Sequence, residues 1–237
     1  MNAAIIVAGG NGTRMNRDLN QNISKQFICL GGVPVLIRTL RVFSCVSEID
    51  GIVVVTRRCD IDRVNELIDE FSIGKVNYVT EGGATRQESV FCGISAAFER
   101  FSGIRKILIH DGARPFVTES CVRGVLDALN TFKAAAAGVE VIDTIKQIDA
   151  YGTIKNTVDR DSLIAIQTPQ GFDAELIFNV HKKARDYGIN ATDDCALVEV
   201  LTDEKIKVTP GSYNNIKITT PEDIPRGESI LEFGLID

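Results

Sequence analysis

Histidine is scarce in this 237-residue sequence, which holds only His110 and His181, and its six cysteines (Cys29, Cys45, Cys59, Cys92, Cys121 and Cys195) form no CxxC pair. Zinc sites draw on closely spaced cysteine and histidine, so a zinc ribbon or an HExxH hydrolase is excluded. Scattered cysteines in a chain of this length read as reduced core residues of a cytoplasmic protein. A basic excess is missing as well: 26 Lys+Arg stand against 32 Asp+Glu, for a net charge of −6. Proteins that coat nucleic acid or an anionic membrane need the opposite balance, although a small basic pocket remains compatible with this one. The apolar run Ala3 to Gly10 is far too short to span a bilayer and lacks the basic leader and cleavage site of a secretory signal. Repeats, low-complexity stretches and linker-like shifts in composition are also absent, so residues 1–237 are expected to form a single domain.

What the sequence does contain is a regular alternation. Short, β-branched apolar runs at Ala3–Val7, Gly51–Thr56, Val76–Thr80, Lys106–Ile109, Ala134–Val141 and Ile206–Thr209 are nearly continuous, as strands buried on both faces of a parallel sheet are. Between them lie amphipathic segments at Val35–Cys45, Asp60–Phe71, Glu88–Phe101, Ser120–Phe132, Ala174–Tyr187 and Asp193–Leu201. The pattern predicts an α/β fold with a doubly wound, mostly parallel, Rossmann-like sheet and helices on both faces. One stretch departs from it. Asp143–Asp149 and Thr153–Asp159 are polar, β-rich runs around Ala150-Tyr151-Gly152, which predicts a protruding β-hairpin arm. A two-stranded ribbon is marginal alone and needs something to pack on, such as a second subunit.

The first strand runs into Ala8-Gly9-Gly10-Asn11-Gly12-Thr13-Arg14-Met15. Glycines at the C-terminal end of a strand let backbone N–H groups close around an anion. No Lys-Ser/Thr follows, so this is not a Walker A loop, and Met15 occupies the third glycine position of a dinucleotide fingerprint. A tight turn at a sheet edge is the plainer reading. Arg14 favours the anion, because a guanidinium beside a nest of amides suits a triphosphate.

Further motifs follow in order: Lys25-Gln26, Leu30-Gly31-Gly32-Val33-Pro34, Gly82-Gly83-Ala84-Thr85-Arg86-Gln87-Glu88-Ser89-Val90, His110-Asp111-Gly112-Ala113-Arg114-Pro115-Phe116, Asp143-Thr144, Gln167-Thr168-Pro169-Gln170-Gly171-Phe172, Thr192-Asp193-Asp194 and Asn215-Ile216-Lys217-Ile218-Thr219-Thr220-Pro221-Glu222-Asp223. With the glycine loop, this ordered set resembles the sugar-phosphate nucleotidyltransferases. Within them it is similar to the 2-C-methyl-D-erythritol 4-phosphate cytidylyltransferases of the non-mevalonate isoprenoid pathway.

The resemblance implies that the acceptor's phosphate attacks the α-phosphate of CTP, giving a CDP-alditol and pyrophosphate, with Mg²⁺ as cofactor and a homodimer as assembly. Such chemistry crowds negative charge and relies on positioning and on cations. By resemblance, Ala8, Gly9, Gly10 and Gly12 line the nucleotide, Arg14 and Lys25 stabilise the transition state, and Gly83, Arg86 and Ser89 read the cytosine and ribose. Arg160 and Lys217 hold the acceptor's phosphate, with Arg114, Thr144, Thr168 and Thr192 nearby. Thr144 and Arg160, on the arm, complete the neighbour's site across the dimer. Asp111 closes the strand KILIHD at the edge where open α/β folds bind ligands, and suits both nucleotide contact and a Mg²⁺ ligand.

Plainer readings compete with several of these: a solvent-facing first-turn residue for Arg86, a cap for Asp111, an ordinary exposed strand for Lys217. Asp193 and Asp194 read as helix N-terminal residues, and His110 as packing or hydrogen bonding. Ala84 stands where some relatives carry an acid, so any contact made by that carboxylate is missing, and Asn214 stands where some relatives carry an acidic metal ligand, which leaves Asp111 as the sole expected protein carboxylate on Mg²⁺. The long segment from Arg14 to Lys25, Ser24 before the Lys-Gln, and the Ala-Gly-Gly start are more like the related D-ribitol-5-phosphate cytidylyltransferases of teichoic acid and capsule synthesis. That chemistry is the near alternative, a non-catalytic nucleotide-binding module a remote one, and a dehydrogenase a weaker third.

Overall fold

A computed structural model describes residues 1–10 and 25–235. The chain begins with β1 (Asn2–Val7), then the short β2 (Cys29–Leu30) and β3 (Val33–Pro34), α1 (Val35–Cys45), β4 (Gly51–Thr56), α2 (Ile61–Glu70), β5 (Val76–Glu81), α3 (Arg86–Arg100) and β6 (Lys106–Asp111). It continues through α4 (Glu119–Ala128), β7 (Ala134–Glu140), the hairpin strands β8 (Lys146–Ile148) and β9 (Ile154–Thr157), β10 (Ile164–Asp173), α5 (Ala174–Tyr187), α6 (Asp194–Leu201), β11 (Ile206–Pro210) and α7 (Asp223–Glu232).

Seven strands form the central sheet in the order β11-β7-β10-β6-β1-β4-β5, all parallel to their neighbours except β10, which runs antiparallel to both β6 and β7. Successive side chains on a strand point to opposite faces, and the core divides accordingly. Ala4, Ile6, Ile52, Val54 and Leu108 pack under α1, α2 and α4, whereas Ile5, Val53, Val55, Ile107 and Ile109 pack under α3, α5 and α6. The sheet is therefore doubly wound, as the alternation predicts. A third, smaller cluster joins Leu30, Phe116, Ile216 and Ile218 to Ile230 of α7.

The hairpin forms where the polar runs place it, β8 pairing antiparallel with β9, and both strands are exposed along their length. Two expectations are corrected. β10 and α7 have no counterpart among the elements read from sequence. The cysteines are not all core residues either: Cys121 and Cys195 are buried, but Cys29, Cys45 and Cys59 are exposed, and all six are free. Among the described residues, no helix is long and apolar enough to cross a membrane.

Candidate active site

The C-terminal ends of β6, β1, β4 and β5 lie side by side, and their loops wall a cleft of about 500 Å³. It is lined by Gly9 and Gly10 after β1, Arg57 and Arg58 after β4, Glu81 to Arg86 at the β5–α3 junction, Asp111 at the end of β6, and Lys217. The β5–α3 loop needs its glycines because the first turn of α3 folds back on it. A Cβ on Gly83 would stand 2.3 Å from that of Glu88, and one on Gly82 would stand 2.6 Å from Ser89 Oγ. Thr85 caps α3, its hydroxyl accepting from the Glu88 amide at 3.1 Å, while the Glu88 carboxylate accepts from the amides of Ala84 and Thr85 at 2.7 and 3.2 Å. This capping box satisfies the helix end and fixes where Arg86 begins.

Asp111 is the centre of the site's electrostatics. Its Oδ1 meets Arg86 Nε at 3.3 Å, and its Oδ2 meets Lys217 Nζ at 2.7 Å with Arg114 Nε at 3.7 Å. Burial alone would raise its pKa, but the charges of Arg86, Lys217 and Arg114 hold it well below the usual carboxylate range. Arg86 also donates from Nη1 to Asp194 Oδ2 at 2.9 Å. Burial opposes its charge, yet Asp194 and Asp111 together keep it firmly protonated.

Lys217 is brought to Asp111 by a segment pinned from three sides. Arg114 Nη1 donates to the Asn215 carbonyl at 2.7 Å, Asn215 Nδ2 donates to the Thr168 carbonyl at 2.9 Å, and the Ile218 amide donates to the Ala113 carbonyl at 2.8 Å. Asn215, Ile216 and Ile218 are buried, so the exposed-strand reading of this segment is overturned. The plainer readings of Arg86 and Asp111 fail on the same geometry. A glycine loop, a capped helix start and basic groups anchored on carboxylates make a cleft suited to a polyphosphate.

Comparison with known proteins agrees with this geometry. Residues 2–233 match the family model described as IspD: 2-C-methyl-D-erythritol 4-phosphate cytidylyltransferase. The chain belongs to this family. The cytidylyltransferase of that name from Clostridium novyi (strain NT) is 46% identical over 232 residues, which cover 98% of this chain and 96% of the relative. One from Geobacillus thermodenitrificans is 43% identical over 228 residues, with 96% of each covered. The crystal structure of 4-diphosphocytidyl-2C-methyl-D-erythritol synthase from Anaerococcus prevotii superposes with a TM-score of 0.86 at 37% identity, covering 98% of this chain and 96% of that one.

Not every residue that the IspD resemblance singles out meets in the cleft. Gly9, Gly10, Gly83, Arg86, Ser89, Asp111 and Lys217 line it, and Ala8 is buried just beneath, its amide bonded to the Val55 carbonyl at 2.7 Å. Gly12 and Arg14 lie outside the described residues, as does the side chain of Lys25, whose backbone opens the 3-10 turn Lys25–Phe27. Arg114 and Thr168 stand behind Asp111: the Thr168 hydroxyl accepts from the Asp111 amide and contacts His110 Nδ1, both at 3.1 Å. Thr192 is exposed beside the cap of α6 and does not line the cleft. Thr144 is exposed on the arm, and Arg160 donates to the Ile142 carbonyl at 2.7 Å beside a separate cavity, so within one chain neither reaches Asp111.

Asp193 caps α6 as expected, accepting from the Ala196 amide at 2.9 Å. Asp194 is more than a helix N-terminal residue, since it is 1% exposed and paired with Arg86 and His181. Sequence reasoning also passed over Arg57 and Arg58, although two arginines directly after the strand GIVVVT, next to the glycine loop's strand, were a readable signal.

Mg²⁺ takes few protein oxygens, so one carboxylate beside bound phosphates suffices to hold it. Both oxygens of Asp111 are engaged by cations, and the Asn214 side chain bonds the Leu235 carbonyl. Asp111 anchors Arg86 and Lys217 in this structure, and it is the carboxylate of the cleft that would hold a Mg²⁺.

His110, beside Asp111, is fully buried against Phe43, and burial pushes its pKa down to about 3. It stays neutral in the native state, whereas the unfolded chain binds a proton near pH 6.5. Stability is therefore complete above about pH 6.5 and declines as pH falls toward 3, by about 1.4 kcal/mol per pH unit from this group. Denaturant unfolding of wild type and H110Q between pH 7 and 4 checks this: the variant should lose about one proton's worth of slope, and an unchanged slope would refute the assignment.

Proposed function

We propose that this chain is a CTP:2-C-methyl-D-erythritol 4-phosphate cytidylyltransferase, releasing pyrophosphate and forming 4-diphosphocytidyl-2-C-methyl-D-erythritol. The observation that carries the reading is the set of cations anchored on Asp111 opposite a glycine loop, in a chain matched to that family over residues 2–233. An acceptor oxygen forms the new bond to the α-phosphorus of CTP as the bond to the β-phosphate's bridging oxygen breaks, and the electron pair leaves with pyrophosphate. A phosphate monoester is largely a dianion above its second pKa near 6, so the attack needs no general base. That agrees with a cleft of cations whose nearest imidazole, His110, is buried and neutral. In this reading Gly9, Gly10 and the β5–α3 loop seat the nucleotide, and Lys217 offsets charge where the two phosphates meet. Arg14 and Lys25 are assigned to the triphosphate. The D-ribitol 5-phosphate alternative has less support, since the curated relatives named above carry the methylerythritol name. Pyrophosphate release with CTP and each alditol phosphate tests the choice.

We also infer one domain over 1–237 whose arm, 143–160, docks on a second copy. Supporting this are Ile148, Tyr151 and Ile154, apolar side chains that are 58–93% exposed on the arm. Docking there would let Thr144 and Arg160 reach the neighbour's acceptor site. Light scattering should read twice the 25.8 kDa chain mass, and a monomer at working concentration would refute it. The free cysteines support a reducing, cytoplasmic setting. Asp111 would hold a Mg²⁺, which would supply charge neutralisation to the CTP phosphates.

A further inference from the structure

Arg86 occupies the first turn of α3, where the helix dipole disfavours a cation. Its placement must come from side-chain partners, and it has two, Asp111 and Asp194. Asp194 has a further contact that the reaction scheme does not use. Its Oδ1 accepts from His181 Nε2 at 3.0 Å, and both residues are 1% exposed. His181 belongs to α5, and its ring lies nearly parallel to Phe91 of α3, with centroids 6.3 Å apart. Its Nδ1 is buried and has no hydrogen-bond partner among the described residues. Among the described residues the ring's one hydrogen bond is therefore with Asp194.

We propose that His181 is a positioning residue for nucleotide binding, holding the Asp194 carboxylate in the orientation that aims Arg86 at the cleft. The inference rests on the CTP-transfer reading. Asp194 is ionised: burial would raise its pKa, but Arg86's charge and the His181 hydrogen bond lower it. The carboxylate thus bridges two donors, and loss of one frees it to rotate about the other. The backbone beneath it is fixed independently. Asp193 caps α6 and accepts from Gln170 Nε2 at 2.8 Å, and Gln170 Oε1 accepts from the Cys195 amide at 3.2 Å. Removing His181 should therefore loosen the Asp194 side chain and Arg86 without dislodging α6.

The test compares wild type, H181L and H181Q by steady-state kinetics with each substrate varied, alongside thermal unfolding. H181L is expected to raise KM for CTP about tenfold while kcat and KM for the alditol phosphate stay within about twofold. H181Q, whose amide nitrogen can occupy the place of Nε2, should return KM for CTP to within about threefold of wild type. An unchanged KM for CTP in H181L overturns the proposal, as does an equal loss in both variants or a matching rise in the acceptor's KM. If H181L does not accumulate, H181Q decides alone: near-wild-type KM supports the proposal, and a tenfold rise in a folded H181Q overturns it. A wild-type chain that turns over no CTP would overturn the functional reading and this inference together. Wild-type turnover with an indifferent H181L would overturn this inference only.

Discussion

Replacing Lys217 with methionine is expected to lower kcat/KM by about 10²–10³-fold, the range seen when one preorganised charge-stabilising donor is removed. The lysine is not a mobile surface cation. Its segment is tied to Arg114, Ala113 and Thr168, and its ammonium sits 2.7 Å from Asp111 in a partly buried cleft. Methionine keeps the length of the side chain and removes the charge, so packing around Ile216 and Ile218 should survive. Asp111 retains Arg86 and Arg114, and the unfolding midpoint should move by only a few degrees. Arginine at 217 should recover part of the activity. A methionine variant within threefold of wild type would remove Lys217 from the reaction.

Replacing Arg86 with methionine should have the largest effect on stability, about 3–5 kcal/mol at neutral pH. One guanidinium is shared between two buried carboxylates, Asp111 and Asp194, so its loss leaves both without their common partner. Removing one member of a buried ionic network costs far more than the network itself contributes, because the survivors remain desolvated. Adding D194N to the variant should restore part of the loss, since an amide tolerates burial better than an orphaned carboxylate. Urea unfolding of the single and double variants measures both. A single-variant loss below about 1 kcal/mol would mean that water or another cation already serves these carboxylates.

The parallel strands were legible because each is a short, continuous β-branched run, the mark of burial on two faces. β10 was not, because Pro169 and Gly171 interrupt Ile164–Asp173 and its pairing shifts register between Ile166 and Gln170. Pro225 and Gly227 likewise disguised α7. The proline falls in the first turn, where its missing N–H costs little, and the glycine lets the helix approach Leu30, which a Cβ would meet at 3.0 Å. In the site, motif context singled out Arg86, Asp111 and Lys217, which the structure brings together in one cleft, but it treated each as an independent ligand-binding group. That they share one charge network is a property of chain crossings: Asp194 lies 108 residues beyond Arg86, and no local pattern in Thr192-Asp193-Asp194 separates a cap from a buried ion pair. The cysteines misled for a similar reason, since exposure at Cys29, Cys45 and Cys59 depends on which side of an element faces solvent.

On this reading the cleft around Asp111 joins a cytidylyl group to the phosphate of 2-C-methyl-D-erythritol 4-phosphate. Phosphorus NMR of the purified chain with CTP, Mg²⁺ and 2-C-methyl-D-erythritol 4-phosphate tests it most directly. Equal amounts of pyrophosphate and a new diphosphate diester are expected, with neither product formed when the acceptor is left out. Release of CMP or inorganic phosphate without the diester would contradict it, and so would turnover confined to D-ribitol 5-phosphate.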